Sequence, residues 1–109
     1  MSYRLYYYNS RVRAEIHQWP VGLLASFVRI AEQIEDTGPN LGMPYTRAMG
    51  DGLFEIRARG MEGIGRAFFC CLVEKRVVIL HGFVKKTQAT PVKDLAIARK
   101  RLKEVRDER

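Results

Sequence analysis

The order of secondary-structure signals predicts an α+β domain in which helices pack on a mainly antiparallel sheet. Helical periodicity occurs before and after one block of strand-like segments, and the connections inside that block are short. The three segments are Leu53 to Arg59, Ile64 to Val73 and Arg76 to Val84, and connections of two to four residues join antiparallel neighbours. We therefore predict one domain over residues 1–109, with an N-terminal helix pair and a C-terminal helix against the sheet.

The first half of the chain supplies one strand and two helices. The aromatic segment Tyr3 to Tyr8 predicts a strand. Residues 11–18 predict a short helix with Ser10 as its N-cap, which Trp19-Pro20 ends. Residues 20–36 predict the main core helix, because apolar residues recur there at helical spacing: Leu23, Leu24, Phe27, Val28, Ile30, Ala31 and Ile34.

Two further segments complete the predicted fold. Residues 37–52, which end in Gly50-Asp51-Gly52, are rich in glycine and proline and predict a loop. Near the C-terminus, Thr90-Pro91 supplies a cap and a first-turn proline for a helix. The apolar residues of that helix recur at intervals of three and four: Leu95, Ala98, Leu102 and Val105.

The positive charge is concentrated in the second half of the chain. The 109 residues carry a formal charge of +7, with a sequence pI of about 9.8. Residues 1–50 hold five Lys or Arg against four acids, and residues 51–109 hold fourteen against eight. This excess predicts a phosphate-binding surface and a polyanionic partner. The alternative, that the basic residues form a solvated coat, stays open.

The two cysteines and the hydropathy pattern indicate a cytoplasmic protein. Cys70 and Cys71 are adjacent in an apolar run, so a strand sends their side chains to opposite faces, which argues against a disulfide between them. No CxxC pair or histidine cluster indicates a zinc site. Two free thiols favour a reducing setting. We expect no membrane association, since no run approaches the roughly 20 apolar residues of a membrane span. We also expect no cofactor.

Charged residues interrupt segments that should form apolar strands. Along residues 53–59, alternation places Phe54, Ile56 and Ala58 on a core face, and Glu55, Arg57 and Arg59 on the opposite face. The charged set is either a structural ion pair or a substrate surface that carries its own acid or base.

Arg66 adds a further guanidinium beside this set. It lies at the start of the next antiparallel strand, within cross-strand reach of residues 57–59. Converging guanidiniums suit phosphate oxygens and the developing charge of a phosphorane. The competing interpretation is salt bridging of Arg66 to Glu55 or Glu62.

His81 and Lys85 lie in the last strand. Alternation places His81 on the same face as Val77, Ile79, Phe83 and Lys85. His81 is either a core residue held by one hydrogen bond or a participant in proton transfer beside Lys85. Cations around a lysine lower its pKa, so Lys85 or Lys86 can accept or donate a proton near neutral pH.

These residue types meet the requirements of RNA cleavage by transesterification. That reaction needs a base for the ribose 2′-hydroxyl, cations for the phosphorane and an acid for the leaving 5′-oxygen. Arginines, lysines and one histidine or glutamate supply all three without a metal ion. DNA is not a substrate for such a site, because the 2′-hydroxyl is the nucleophile.

Several motifs in the second half match a known family. They are Asp51-Gly52-Leu53-Phe54-Glu55-Ile56-Arg57, Arg66 followed by Ala67-Phe68-Phe69, Leu80-His81-Gly82-Phe83-Val84-Lys85-Lys86-Thr87-Gln88, Thr90-Pro91 and Ala98-Arg99. On these residues the chain resembles the phage-derived branch of the HigB/RelE-like toxins of type II toxin–antitoxin systems, in the RelE/ParE superfamily.

The resemblance implies a RelE-like single domain that acts as an endoribonuclease, an mRNA interferase. Such a protein cleaves mRNA without a metal ion, commonly at the ribosome, and a cognate antitoxin neutralises it. We expect that antitoxin to be a helix-turn-helix protein. The resemblance assigns phosphate and transition-state binding to Arg57 and Arg66 and proton transfer to Lys85. We expect RNA binding from Arg59, His81, Lys86 and Arg99.

Two other functions stay open at this stage. One is a ParE-like toxin that inhibits DNA gyrase, and the other is a noncatalytic RNA-binding or phage regulatory module. The cluster of Arg57, Arg66 and Lys85 favours the nuclease. Relatives often place a polar-rimmed aromatic pair after the position of Arg66, whereas this chain reads Ala67-Phe68-Phe69-Cys70 and has no tyrosine there. Base stacking is therefore left to Phe83, to Tyr45 or to ribosomal RNA.

Overall fold

The computed structural model describes residues 2–85 and 91–108, which form a five-stranded sheet with helices on both faces. The elements in chain order are β1 (Arg4–Tyr7), α1 (Ser10–His17), α2 (Val21–Thr37), β2 (Thr46–Gly50), β3 (Leu53–Gly60), β4 (Gly63–Leu72), β5 (Arg76–Lys85) and α3 (Val92–Asp107). The strand order is β1-β5-β4-β3-β2, with β1 parallel to β5 and the other pairs antiparallel. The predicted α+β class and mainly antiparallel sheet are confirmed.

The segment predicted as a loop contains an edge strand, β2, so the loop prediction is wrong for residues 46–50. Its sequence has one β-branched residue and no aromatic residue, which gives it a weak strand preference. Its backbone nevertheless pairs with β3, with Thr46 opposite Ile56 and Arg47 opposite Glu55. An edge strand formed mainly through backbone pairing leaves little signal in the sequence.

Two predicted helix caps differ from those in the structure. Asn9, not Ser10, is the N-cap of α1, and its Oδ1 accepts a hydrogen bond from the backbone N of Val12 at 2.9 Å. Pro91 occupies the N-cap position of α3 rather than its first turn. Thr90, predicted as a cap, lies outside the described residues.

A residue from the turn between two strands stabilises the start of α2. Pro20 is the N-cap of this helix and makes no side-chain capping bond. Glu62, in the turn between β3 and β4, accepts a hydrogen bond from the backbone N of Gly22 at 3.1 Å. A carboxylate is favourable at a helix N-terminus, so this contact ties α2 to the turn.

The two faces of the sheet carry separate apolar cores. The helix pair covers one face, in a cluster that includes Ile16, Trp19, Leu23, Phe27, Ile56, Ala67, Phe69 and Ile79. Helix α3 covers part of the other face, in a cluster of Leu53, Phe68, Cys70, Val78, Leu80, Ala98 and Leu102. We call this second side the α3 face.

The cysteines lie on opposite faces, as predicted. Cys70 belongs to the core under α3, whereas Cys71 packs against the core of the helix pair. Both are free thiols. Burial raises the pKa of Cys70 to about 11, which keeps this thiol protonated and unreactive at neutral pH.

A bulge interrupts the alternation of β5. Phe68 of β4 pairs with His81, whereas the next residue, Phe69, pairs with Ile79. Leu80 is therefore the extra residue on β5. Leu80 and His81 consequently both lie on the α3 face.

Because of this bulge, one part of the prediction for His81 is confirmed and the other part is wrong. The prediction that His81 shares a face with Phe83 and Lys85 is confirmed by the pairing beyond the bulge. The prediction that it shares a face with Val77 and Ile79 is wrong, because those two residues point into the core of the helix pair. Simple alternation fails across an inserted residue.

Two glycines allow the helix pair to approach the sheet closely. A Cβ atom at Gly65 would lie 2.6 Å from the ring of Trp19, and one at Gly82 would lie 2.7 Å from Cγ1 of Ile16. Both distances are far below the 3.5 to 4.0 Å at which carbon atoms pack favourably. Gly65 and Gly82 therefore provide the space in which the corner between α1 and α2 is seated.

The described ranges contain no helix that is long and apolar enough to cross a membrane.

We predict that Gly65→Ala lowers the free energy of unfolding by about 1–3 kcal/mol, which is the usual cost of overpacking. Because the crowded atoms belong to Trp19, the smaller ring in Trp19→Phe should relieve part of this cost. Urea denaturation followed by circular dichroism measures both single variants and the double variant. The destabilisation of the double variant should be less than the sum of the two single effects. Additive effects would show that Gly65 does not make room for Trp19.

Candidate active site

Charged residues occupy one part of the α3 face, and a buried carboxylate lies at their centre. The side chain of Glu55 is 0% exposed. Nη1 of Arg57 donates to its Oε1 at 3.2 Å, and Nη1 of Arg66 donates to its Oε2 at 3.1 Å. The two arginine side chains are only 10% and 5% exposed. We call these three residues the Glu55 clamp.

The register of the sheet determines the geometry of the clamp. Arg57 on β3 lies directly opposite Arg66 on β4, so their side chains project from neighbouring positions on one face. Glu55 lies two residues before Arg57 on that same face. Without the carboxylate, two like charges would face each other in a buried setting, which is unfavourable. The predicted salt bridge of Arg66 to Glu55 is therefore present, whereas Glu62 binds the start of α2 instead.

Lys85 lies beside the clamp. It is 7% exposed and pairs with Ile64, two residues before Arg66 on β4. Burial lowers the pKa of Lys85, and the positive charges of Arg66, Arg57 and Arg47 lower it further, while Glu55 opposes them. The predicted cationic surroundings of this lysine are thus present, and they favour its neutral form.

Burial likewise lowers the pKa of Arg66, with Arg57 and Arg47 acting in the same direction and Glu55 against it. Four cations, Arg47, Arg57, Arg66 and Lys85, therefore influence one another around a single carboxylate. The site has excess positive charge even after Glu55 is counted.

His81 marks the boundary between this site and helix α3. Its Nε2 donates to Oδ1 of Asp94, in the first turn of α3, at 2.6 Å, and its ring stacks on Phe83 with centroids 5.9 Å apart. Its Nδ1 is buried and has no hydrogen-bond partner among residues 2–85 and 91–108. The contact with Asp94 agrees with a histidine held by one hydrogen bond, and its role in RNA binding remains a prediction.

The other predicted RNA-binding residues are more dispersed. Arg59 is exposed, two residues beyond Arg57 on the same face. Arg99 of α3 donates to the backbone oxygens of Gly50 and Met49, both at 2.9 Å, and so ties α3 to the end of β2. Lys86 lies outside the described residues. The structure thus brings together Arg57, Arg66 and Lys85, with Arg59 next to them, and gives Arg99 a structural contact.

Comparison with known proteins identifies the family. A family model described as "Phage derived protein Gp49-like (DUF891)" matches residues 14–103. The chain belongs to this family. The resemblance to phage-derived RelE-like toxins that the motifs indicate is thereby confirmed, and the matched range includes the whole Glu55 clamp and Lys85.

The fold has a counterpart among solved structures. The Gp49-like chain is similar to a chain in the crystal structure of the archaeal RelE–RelB complex from Pyrococcus horikoshii OT3, with a TM-score of 0.58 and 19% identity. The similarity covers 82% of this chain and 100% of that chain. At this identity it shows a RelE-like fold, as predicted. No curated protein matches the chain.

Arg47 is not among the site residues that the sequence of the Gp49-like chain predicts. The sequence predicts a loop around this residue, and in a loop the side chains do not alternate between two faces. Only the pairing of β2 with β3 shows that Arg47 lies opposite Glu55. The sequence does contain one signal for this edge strand. A short glycine-rich connection such as Gly50-Asp51-Gly52 can join β3 to an antiparallel strand that precedes it.

The described ranges of the Gp49-like chain contain no group of three or more His, Cys, Asp or Glu side chains that could hold a metal ion.

We predict that Glu55→Gln lowers the free energy of unfolding by about 3 kcal/mol or more, because it leaves two buried guanidiniums without their counterion. Glu32→Gln, at an exposed position of α2, is the matched control and should change stability by less than about 0.5 kcal/mol. Chemical denaturation measures both variants. Equal stability of the two variants would show that Glu55 is not needed to hold the arginines.

Proposed function

We propose that this protein is the toxin of a type II toxin–antitoxin system and that it cleaves mRNA without a metal ion, using the ribose 2′-hydroxyl as the nucleophile. The observation that carries the proposal is the convergence of Arg57, Arg66 and Lys85 around the buried carboxylate of Glu55. Membership of the Gp49-like family and the RelE-like fold support the toxin role.

In this proposal, Arg57 and Arg66 bind the scissile phosphate and the phosphorane that develops from it. A guanidinium has a planar set of donors that matches phosphate oxygens. Because Glu55 already orients both groups, little reorganisation accompanies charge development, and preorganised donors of this kind contribute most to electrostatic catalysis.

Lys85 removes the proton of the 2′-hydroxyl. Its lowered pKa provides a larger neutral fraction than an ordinary lysine has, and only the neutral amine can accept a proton. The 2′-oxygen then forms a bond to phosphorus while the bond from phosphorus to the 5′-oxygen breaks. The 5′-oxygen takes up a proton from solvent, so the products are a 2′,3′-cyclic phosphate and a 5′-hydroxyl.

The other cations on this side of the protein bind the parts of the RNA that lie outside the clamp. Arg59 is exposed next to Arg57 and continues the positive surface along β3. His81, Lys86 and Arg99 complete the proposed RNA-binding set, in which His81 also holds the start of α3 through Asp94. On the ribosome, the same positive charge would favour contact with ribosomal RNA.

An antitoxin is the proposed protein partner. The RelE protein of similar fold was solved in complex with RelB. A partner that covers the Glu55 clamp with acidic side chains would block access of RNA and neutralise the excess charge of the site. We propose a helix-turn-helix protein for this role and the cytoplasm as the place where both proteins act.

We predict that Arg66→Ala lowers the rate of RNA cleavage by roughly 10² to 10³-fold, the usual effect of removing one preorganised donor. The measurement is cleavage of a defined mRNA in the presence of chelator, with and without ribosomes, and with mapping of the new 5′ ends. Arg13→Ala, at an exposed position of α1 on the opposite side of the sheet, is the control and should cleave normally.

Arg66→Lys separates catalysis from folding, because it keeps a positive charge beside Glu55 but loses the planar set of donors. It should remain folded by circular dichroism and still cleave slowly. Normal cleavage by both Arg66 variants would exclude Arg66 from the reaction, and absence of cleavage by the wild-type protein would exclude the nuclease.

We predict that the logarithm of the cleavage rate rises with pH and levels off below 10.5, the ordinary pKa of lysine, because the neutral fraction of Lys85 rises with pH. Arg47→Gln removes a charge that lowers this pKa, so it should move the plateau to higher pH. Rate measurements across pH test both statements, with Arg13→Gln as the control. If Lys85→Arg leaves the profile unchanged, Lys85 is not the base.

A further inference from the structure

A pocket opens beside the clamp, at the edge of the sheet. Strand β3 extends beyond the start of β2, and α2 and the segment before β2 enclose the uncovered stretch of its edge. The resulting pocket has a volume of about 340 Å³, within the range of small-ligand sites. Arg57 lines this pocket and also belongs to the Glu55 clamp, so the two sites are continuous.

The pocket is cationic. Three arginines line it, Arg29 from α2 and Arg57 and Arg59 from β3, and no acidic residue is among its lining residues in the described part of the chain. Two of its lining residues join β3 to α2, because the backbone N of Arg59 donates to Oγ of the buried Ser26 at 3.0 Å. A cavity with three guanidiniums favours a ligand that carries negative charge.

Two further side chains fit the remainder of a nucleotide. Tyr45 lines the pocket and is 49% exposed, although an aromatic ring gains by being covered. A nucleobase can stack on such a ring whatever its identity, because every base has a π-face. Gln33, exposed on α2, has an amide that both donates and accepts hydrogen bonds and so can read the edge of a base.

The positively charged lining of the pocket does not continue beyond Tyr45. A second depression on the other side of this residue shares Gln33 and Tyr45 with the pocket, but its wall includes the carboxylate of Asp36. A phosphate is disfavoured next to that carboxylate. The pocket therefore has room and charge for one nucleotide rather than for a longer stretch of backbone.

We infer that the pocket formed by Arg29, Gln33, Tyr45, Arg57 and Arg59 binds a single nucleotide of the RNA, next to the phosphate held by the Glu55 clamp. This inference rests on the proposed function. In this site Tyr45 stacks on the base, Arg29 and Arg59 bind its phosphate, and Gln33 determines which base is preferred.

Titration of the full chain with the four nucleoside 5′-monophosphates, and with inorganic phosphate as the reference ligand, tests the pocket without any cleavage. Isothermal titration calorimetry should give tighter binding for at least one nucleotide than for phosphate. Tyr45→Ala should weaken nucleotide binding about tenfold and leave phosphate binding unchanged. Tyr6→Ala, at a tyrosine of β1 with a similar exposure of 43%, is the matched control and should bind normally.

Gln33→Ala gives a second readout. It should reduce the difference in affinity between the four nucleotides and broaden the range of cleavage sites in an mRNA, without lowering the affinity for phosphate. The exposed control Glu32→Gln should leave both the affinities and the cleavage sites unchanged.

The outcomes separate this inference from the proposed function. No preference for nucleotides over phosphate at millimolar concentration, or binding that Tyr45→Ala does not weaken, would overturn the pocket even if the protein cleaves RNA through Arg66. Nucleotide binding that depends on Tyr45, in a protein that cleaves no RNA, would support the pocket and overturn the nuclease.

Discussion

The ion pairs of Glu55 with Arg57 and Arg66 are the constraint on which the arrangement of charges on this sheet depends. A fully buried carboxylate and two nearly buried guanidiniums are each unfavourable alone, and they are tolerated because the carboxylate forms an ion pair with both guanidiniums. Such a cluster adds little net stability compared with an apolar core of the same size. Its contribution is geometric, because it holds two guanidiniums in fixed positions on neighbouring strands.

The rest of the fold fixes where this cluster lies on the sheet. Helix α3 covers the apolar part of its face, and Asp94 in its first turn contacts His81 of the sheet. The bulge in β5 turns His81 toward that helix and keeps Lys85 on the same face as the arginines. On the opposite face, Gly65 and Gly82 let the helix pair pack closely beneath the site. The charged residues of the site and the apolar residues of the two cores thus occupy separate regions of one sheet.

The sequence predicted the parts of this arrangement that follow from local periodicity. Alternation placed Glu55 and Arg57 on one face, and the short connection to the next strand brought Arg66 within reach. Arg47 was missed because an edge strand depends on its partner rather than on its own residues. The prediction that His81 shares a face with Val77 and Ile79 was wrong, because a bulge leaves no simple trace in a sequence. The pocket beside Tyr45 was not predicted either, since it joins residues that are distant along the chain.

The most direct test of the central claim is a crystal structure of the protein bound to an RNA that lacks its 2′-hydroxyl groups and therefore cannot be cleaved. The account predicts one phosphate within hydrogen-bonding distance of both Arg57 and Arg66, with the 2′-carbon of the preceding sugar facing Nζ of Lys85. An RNA bound to another surface, such as the exposed lysines of α3, with the Glu55 clamp untouched, would contradict the account.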